Sequence, residues 1–310
     1  PGSTFKLFVY LAAFRAGMTP EDMIDDTPIT TGSYRPANHG GKYRGRISLR
    51  QAFAASSNVA AIRLTQKVGV DAVIKVARDL GITAPLTEDL SLALGTSEIP
   101  LIELAEAYAA VAAGVYPVLA HGLPPEERGW FERLMERQRS FDDDELAMIR
   151  DLLSSAANRG TGSAAALRTS TFGKTGTTQD SRDAIFVGYA GGLVTAVWVG
   201  NDDNKPLPGG AAGGGMPARI WRNFMSGAIN EPVADAPEET QDADLVNAIA
   251  NITVETGIGN VGVGVDDGGM TVNIGGSQIR LPIDEPAAPA GIPPPRIAPT
   301  QPPEEVDGAP

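Results

Sequence analysis

The sequence contains no cysteine. That excludes a disulfide scaffold, a thiolate metal site and a cysteine nucleophile. It has two histidines, His39 and His121. These are too few for most imidazole metal sites, and they argue against a Ser-His-Asp triad. No apolar run is long enough to span a membrane. The longest uncharged stretch, Ala184 to Asn201, is broken by Gly191-Gly192 into two blocks of β-formers. Positive charge is also scarce: 25 Lys+Arg face 38 Asp+Glu, a net charge of −13. A nucleic-acid partner held through its phosphates is therefore not expected. The chain opens Pro1-Gly2-Ser3, with neither Met nor a signal peptide. It reads as part of a longer protein, and any membrane anchor is expected upstream of Pro1.

What is present suits one large domain or two ordinary ones: 310 residues, 42% hydrophobic. The charge is uneven. From Glu231 onward 14 acidic residues meet only Arg280 and Arg296, leaving a balance of −1 for residues 1–230. The same stretch holds 12 of the 24 prolines. The expected division is a body over residues 1–229 and an acidic, Pro/Gly-rich tail over 230–310, largely disordered. Weak alternation between residues 252 and 281 allows a small β-element. Residues 286–303 read as polyproline linker.

In the body, apolar spacing of 3.6 predicts helices at 4–16, 48–55, 59–68, 70–80, 101–113 and 142–157. Ser3, Ser48 and Asp142 are the expected caps. Residues 18–46, punctuated by Pro, Gly and Asn, read as loop. The period then changes to two. Strands are expected at 167–176, 184–190 and 193–200, the last two joined by a tight turn at Gly191-Gly192. A final helix, 217–228, starts at Pro217. Helices followed by an antiparallel meander indicate an α+β layout.

Three short motifs carry the chemistry. In Ser3-Thr4-Phe5-Lys6, positions i and i+3 share a helix face, so a hydroxyl and an amine meet at a helix N-terminus. A neutral lysine can take a serine proton. About one Ser-x-x-Lys is expected by chance in a chain this long, so this motif alone proves little. Ser56-Ser57-Asn58 sits between two helices, where caps are common; it also offers a relay hydroxyl and a carboxamide. Lys174-Thr175-Gly176-Thr177 lies on a strand. Its glycine suits close backbone approach, and its amine and hydroxyls suit an anion, although an edge strand with a solvated lysine fits as well.

In this order, the three resemble the Ser-x-x-Lys, Ser-Asp-Asn and Lys-Thr-Gly set of serine penicillin-recognising enzymes, with Ser57 replacing the middle Asp. The chain is similar to the transpeptidase domain of class A penicillin-binding proteins over about residues 1–227. The similarity extends to Tyr34-x-Pro36-x-Asn38, Gly41-Lys42-Tyr43-Arg44-Gly45, Leu94-Gly95-Thr96, Gly160-Thr161-Gly162, Thr178-Gln179-Asp180, Asp183 to Tyr189, Trp198 to Asp202 and Gly213 to Ala218. Residues 115–139 match poorly, and the charged run 126–139 reads as a solvated helix face.

The resemblance implies an antiparallel sheet flanked by helices, of the transpeptidase and serine β-lactamase type. It implies cross-linking of peptidoglycan stem peptides, a D-Ala-D-Ala donor and an amine acceptor, through a serine acyl-enzyme that β-lactams also form. Ser3 would be the nucleophile and Lys6 its base. Ser56 and Lys174 would deliver a proton to the leaving amine. Asn58 would bind the donor backbone. Thr175 and Thr177, with Gly176 between them, would hold the terminal carboxylate. The N–H groups of Ser3 and Thr177 would form the oxyanion hole. No metal or cofactor is implied. The location would be extracytoplasmic, beside cell-wall assembly proteins. In the family two strands and a helix precede the serine. A chain starting at Pro1 is therefore expected to be incomplete at that side, with an exposed sheet edge and reduced stability. A D,D-carboxypeptidase and a non-catalytic penicillin-binding sensor or scaffold are the other readings. A β-lactamase fits less well: no Glu-x-x-x-Asn lies between Asn58 and Lys174, and Asn58 stands where class D enzymes carry Val.

Overall fold

The computed structural model describes residues 1–29, 34–120, 138–178, 181–207 and 211–231, and the backbone of four strands between 251 and 281. His121, most of the run 126–139, Gln179-Asp180 and the stretch 286–303 lie outside the described residues. The chain forms two compact units, Pro1–Ala236 and Pro237–Pro310.

The first unit is built around a helix that is apolar on every side. A 3-10 turn, Gly2–Phe5, runs into α1, Lys6–Arg15, of which all but Arg15 is buried. A helix buried all round belongs at a core's centre, and α3 (Asn58–Val68), α4 (Val70–Asp79) and α6 (Asp143–Arg159) pack around it. The expected N-cap at Ser3 is corrected here. Ser3 lies inside the 3-10 turn and makes no capping bond, because its hydroxyl is engaged by Lys6 instead. The other two caps form. Ser48 makes a reciprocal capping box with Gln51 at α2 (Leu49–Ala54), and Asp142 accepts from the N–H groups of Asp144 and Glu145.

The stretch 18–46, expected as loop, contains a strand pairing. β1 (Met23–Asp26) runs antiparallel to β2 (Gly45–Ser48), with Ile24 opposite Ile47. Four-residue strands give too few alternations to stand out among prolines and glycines. After α5 (Leu101–Ala113), a two-residue pairing joins β3 (Val115–Tyr116) to β4 (Arg139–Ser140).

The central sheet has the order β5 (Phe172–Thr177), β6 (Asp183–Ala190), β7 (Leu193–Gly200), all antiparallel. The strand expected from Leu167 begins only at Phe172, because Leu167 N–H is drawn into a turn on the Thr171 hydroxyl. Gly191 and Gly192 both have positive φ, as a tight hairpin turn requires. β6 is covered on both faces. Ile185, Val187 and Tyr189 join the core around α1, while Phe186 and Ala190 pack with Trp221 and Met225 of α7 (Met216–Ala228).

The second unit carries a four-stranded antiparallel meander, β8 (Asn251–Thr256), β9 (Gly259–Asp266), β10 (Gly269–Ile274) and β11 (Ser277–Leu281). Its register pairs Ile252 with Val263, Val263 with Val272, and Val272 with Ile279. The alternation read from the sequence thus lines up across all four strands.

Glycines let backbones meet where α1 starts. A Cβ on Gly95 would stand 2.1 Å from Gly2 O, and one on Gly176 would stand 2.4 Å from Pro1 O. Gly95 also has φ +72°, whereas Gly17, at φ +86°, faces open space. Gly17→Ala should therefore cost about 1 kcal/mol of left-handed strain. Gly95→Ala should cost at least twice that, because main chain must move as well. Thermal melts of the two variants read the difference, and equal losses would show that the Gly95 loop is not pressed onto the turn.

Candidate active site

Three segments converge around the Lys6 side chain. The 3-10 turn places Ser3 one turn before it, the α2–α3 junction supplies Ser56 and Asn58, and β5 supplies Lys174. Lys6 Nζ lies 3.0 Å from Ser3 Oγ, 2.6 Å from Ser56 O, 3.3 Å from Ser56 Oγ and 2.7 Å from Asn58 Oδ1. Lys174 Nζ lies 2.8 Å from Ser56 Oγ and 3.2 Å from Thr175 O, with the Phe53 ring 5.7 Å away. Both lysines are wholly buried, whereas Ser3, Ser56, Asn58 and Thr177 are half-buried. Hydroxyls and a carboxamide line the opening, and the amines stand behind them.

Burial disfavours a charged amine. It lowers Lys6 well below the ordinary lysine value; Lys174 adds to this and Asp26 opposes it. Burial alone brings Lys174 down to about 7. The hydrogen bonds accommodate the neutral Lys6 that burial favours. The carbonyl of Ser56 and the carboxamide oxygen of Asn58 are obligate acceptors and take two N–H groups. A neutral amine then has its lone pair left for the Ser3 hydroxyl. The Asn58 orientation is fixed on its other side, where Nδ2 donates to Ala37 O at 2.9 Å.

Ser56 has φ +55°. This left-handed backbone is uncommon for a non-glycine residue, and it turns the Ser56 carbonyl and hydroxyl toward the same amine.

The remaining expected residues lie on β5. The Thr175 hydroxyl is 2.6 Å from that of Thr161, and Thr177 Oγ1 accepts from Gly213 N–H at 3.1 Å. Gly176 is enclosed on both sides, by Pro1 and Thr4 on one and by Gly213 on the other. The Thr177 main chain passes within about 3 Å of where a Gly2 Cβ would stand, so its N–H faces the serine turn. Ser3, Lys6, Ser56, Asn58 and Lys174 form one bonded cluster. Thr175 and Thr177 border it without bonding to Ser3.

Residues outside the three motifs also support the cluster, Thr161 and Asp26 among them. In the sequence Thr161 stands out only as the centre of Gly160-Thr161-Gly162. Asp26 carried no signal beyond an acidic pair in a stretch read as loop; it lies fully buried behind Ser57. Among the described residues no group of His, Asp or Glu could hold a metal ion. No helix among them is long and apolar enough to cross a membrane.

The family model "Penicillin binding protein transpeptidase domain" matches residues 1–226. The chain is 36% identical over 248 residues to penicillin-binding protein 1A of Neisseria gonorrhoeae, covering 74% of this chain and 31% of that protein. It is 31% identical over 265 residues to penicillin-binding protein 1A of Rickettsia conorii, covering 74% and 34%. It thus spans about a third of the length of these relatives. Among solved structures, PonA1 of Mycobacterium tuberculosis in complex with penicillin V superposes with TM-score 0.60 at 27% identity, covering 78% of this chain and 72% of that one. Penicillin-binding protein 1A of Haemophilus influenzae superposes with TM-score 0.63 at 24% identity, covering 81% and 44%.

The buried lysines make stability depend on pH. Between about 7 and 10.5 the unfolded chain holds a proton that native Lys174 has shed. The unfolded state then binds more protons, so native stability rises with pH across that window. Lys6 acts in the same direction. Lys174→Met should lessen the rise, by up to a few kcal/mol between the two ends. Urea denaturation of parent and variant at about pH 7 and about pH 9 measures it. Identical slopes would mean that Lys174 keeps its proton.

Proposed function

The chain belongs to the penicillin-binding protein transpeptidase family, and on that premise we propose that it cross-links peptidoglycan stem peptides through an acyl-enzyme on Ser3. The observation that carries this reading is the 3.0 Å contact of Ser3 Oγ with a buried Lys6 amine whose N–H groups have other partners.

Lys6 takes the Ser3 proton as Oγ bonds to the carbonyl carbon of the penultimate D-Ala. The developing oxyanion is met by the N–H groups of Ser3 and Thr177, the donors such a charge needs. As the C–N bond breaks, the amine of the terminal D-Ala takes a proton through Ser56, which bridges Lys6 and Lys174. Thr175 and Thr177 hold the leaving carboxylate. The Thr177 hydroxyl already accepts from Gly213, so its own hydrogen is directed to the ligand. Asn58 Nδ2 and the β5 backbone line the donor peptide. An acceptor amine then attacks the Ser3 ester, forming the cross-link and freeing Ser3. A β-lactam carbonyl acylates Ser3 by the same first step. The chemistry needs no metal or organic cofactor. Its substrate lies outside the cytoplasm, so the protein would work there.

The parent chain should gain one stable adduct from a fluorescent penicillin, read by intact-protein mass spectrometry, and Ser3→Ala should gain none. With a D-Ala-D-Ala-ended peptide and an amine acceptor, released D-Ala should be matched by a new amide. Free tetrapeptide in its place would indicate a carboxypeptidase. The acylation rate should climb with pH through the Lys6 ionisation, which lies far below the ordinary lysine range. A rate independent of pH from about 5 to 10 would remove Lys6 from the role of base.

A further inference from the structure

Asp26 is a wholly buried carboxylate that the reaction above does not use. It sits at the end of β1 and is an acceptor in every hydrogen bond it makes. Oδ1 accepts from Ser57 Oγ at 2.6 Å and from Asn38 Nδ2 at 2.7 Å; Oδ2 accepts from Arg44 N–H at 3.2 Å. Both partners on Oδ1 then reach the start of α3. Asn38 Oδ1 accepts from the N–H groups of Asn58, at 2.8 Å, and Val59, at 3.1 Å. Ser57 Oγ accepts from Ala60 N–H at 3.0 Å. Three of the four N–H groups that an α-helix leaves open at its start are thus closed by two side chains, and Asp26 aims both. Asn38 is itself pinned, since Nδ2 also donates to Lys42 O at 2.9 Å. The helix start held in this way carries Asn58 and directly follows Ser56, the two residues whose oxygens hold Lys6.

We propose that Asp26, acting through Asn38 and Ser57, is a positioning residue that sets the Ser56–Asn58 turn and, by its negative charge, the basicity of Lys6. This rests on the assignment of Lys6 as the base for Ser3. Among the described residues two charged groups act on the Lys6 amine, Lys174 of β5 and Asp26 of β1, the latter one hydrogen bond from Ser57 in the turn that holds Lys6. The α3 start brings it the neutral Asn58, and the turn before α3 brings Ser56. Asp26 also acts on Tyr10 of α1, whose phenol is raised first by burial and then by that carboxylate. The sign follows from the charges. Lys174 disfavours the ammonium form of Lys6 and Asp26 favours it. Removing the Asp26 charge therefore makes Lys6 a weaker base that stays neutral to lower pH. Asp26→Asn keeps an oxygen for Ser57 and Asn38, removes the charge and loses the bond from Arg44 N–H; the Lys6 midpoint reads the charge, and the melting temperature reads the lost bond.

The test uses the full chain labelled with carbon-13 at lysine Cε. The chain has six lysines, and Lys6→Arg identifies the Lys6 signal. In Asp26→Asn the Lys6 titration midpoint should fall by about one pH unit, and the acid limb of penicillin acylation should fall with it. A purely structural role for Asp26 would change the melting temperature and leave that midpoint in place, and an unmoved midpoint overturns the electrostatic part. Asn38→Ala should lower the acylation rate constant about 100-fold, the scale of a misplaced reacting group. An undiminished rate in folded Asn38→Ala overturns the positioning part. If that variant does not fold, Ser57→Ala, which cuts the other link, replaces it with an expected loss of about 10-fold, and an unchanged rate there overturns the positioning part equally. The titration needs no acylation. A parent chain that never acylates therefore counts against the proposed function, while the Lys6 midpoint still decides whether Asp26 is coupled to it.

Discussion

A primary amine sealed from water must find its partners inside the protein. Lys6 finds oxygens from three residues of two segments that are 50 positions apart in the chain. An unpartnered buried amine would be strongly destabilising, so these contacts bind the turn before α1 to the start of α3. The same enclosure strips the amine of the water that would keep it charged. Structure and reactivity thus have one origin here. The burial that forces Lys6 to be hydrogen-bonded also weakens its hold on a proton.

The rest of the first unit can be understood as support for that arrangement. α1 is apolar on every side because it runs through the middle of the core. β6 is apolar on both faces because helices cover the sheet from both sides. β5 brings its lysine to the junction from the edge of that sheet, and Tyr108 of α5 donates to Thr4 O at 3.0 Å, tying the serine turn to α5. Polar order spreads outward from the amines in the same manner. Ser56 joins the two lysines, Ser57 and Asn38 hold the helix start, and Asp26 holds both of them.

The elements legible in the sequence are those whose signal is local. Periodicity located the helices around α1 to within a few residues, the Gly191-Gly192 turn located the hairpin, and three motifs named the residues that cluster around Lys6. What was not legible depends on distant partners. β1 and β2 exist because they pair with each other across a loop-like stretch, and neither has enough residues to show a period. The Ser3 hydroxyl looks like a cap until Lys6 is seen to claim it. Asp26 is one acid among many until folding brings it behind Ser57. The strand expected from Leu167 starts late because a threonine hydroxyl captures its N–H, a competition that propensity does not register.

The cradle of the serine is made mostly of main chain. Gly2 lies against Thr177, Gly95 against Gly2, and Gly176 between Pro1 and Gly213. Each of these glycines abuts main chain, so a side chain added at any of them would have to displace backbone, and the innermost surface of this site is almost closed to gradual hereditary adjustment. A lineage under selection at this site is left with side chains at its half-buried rim, such as Thr177. Its variants would then differ in how molecules reach the serine, while the geometry that meets them stayed the same.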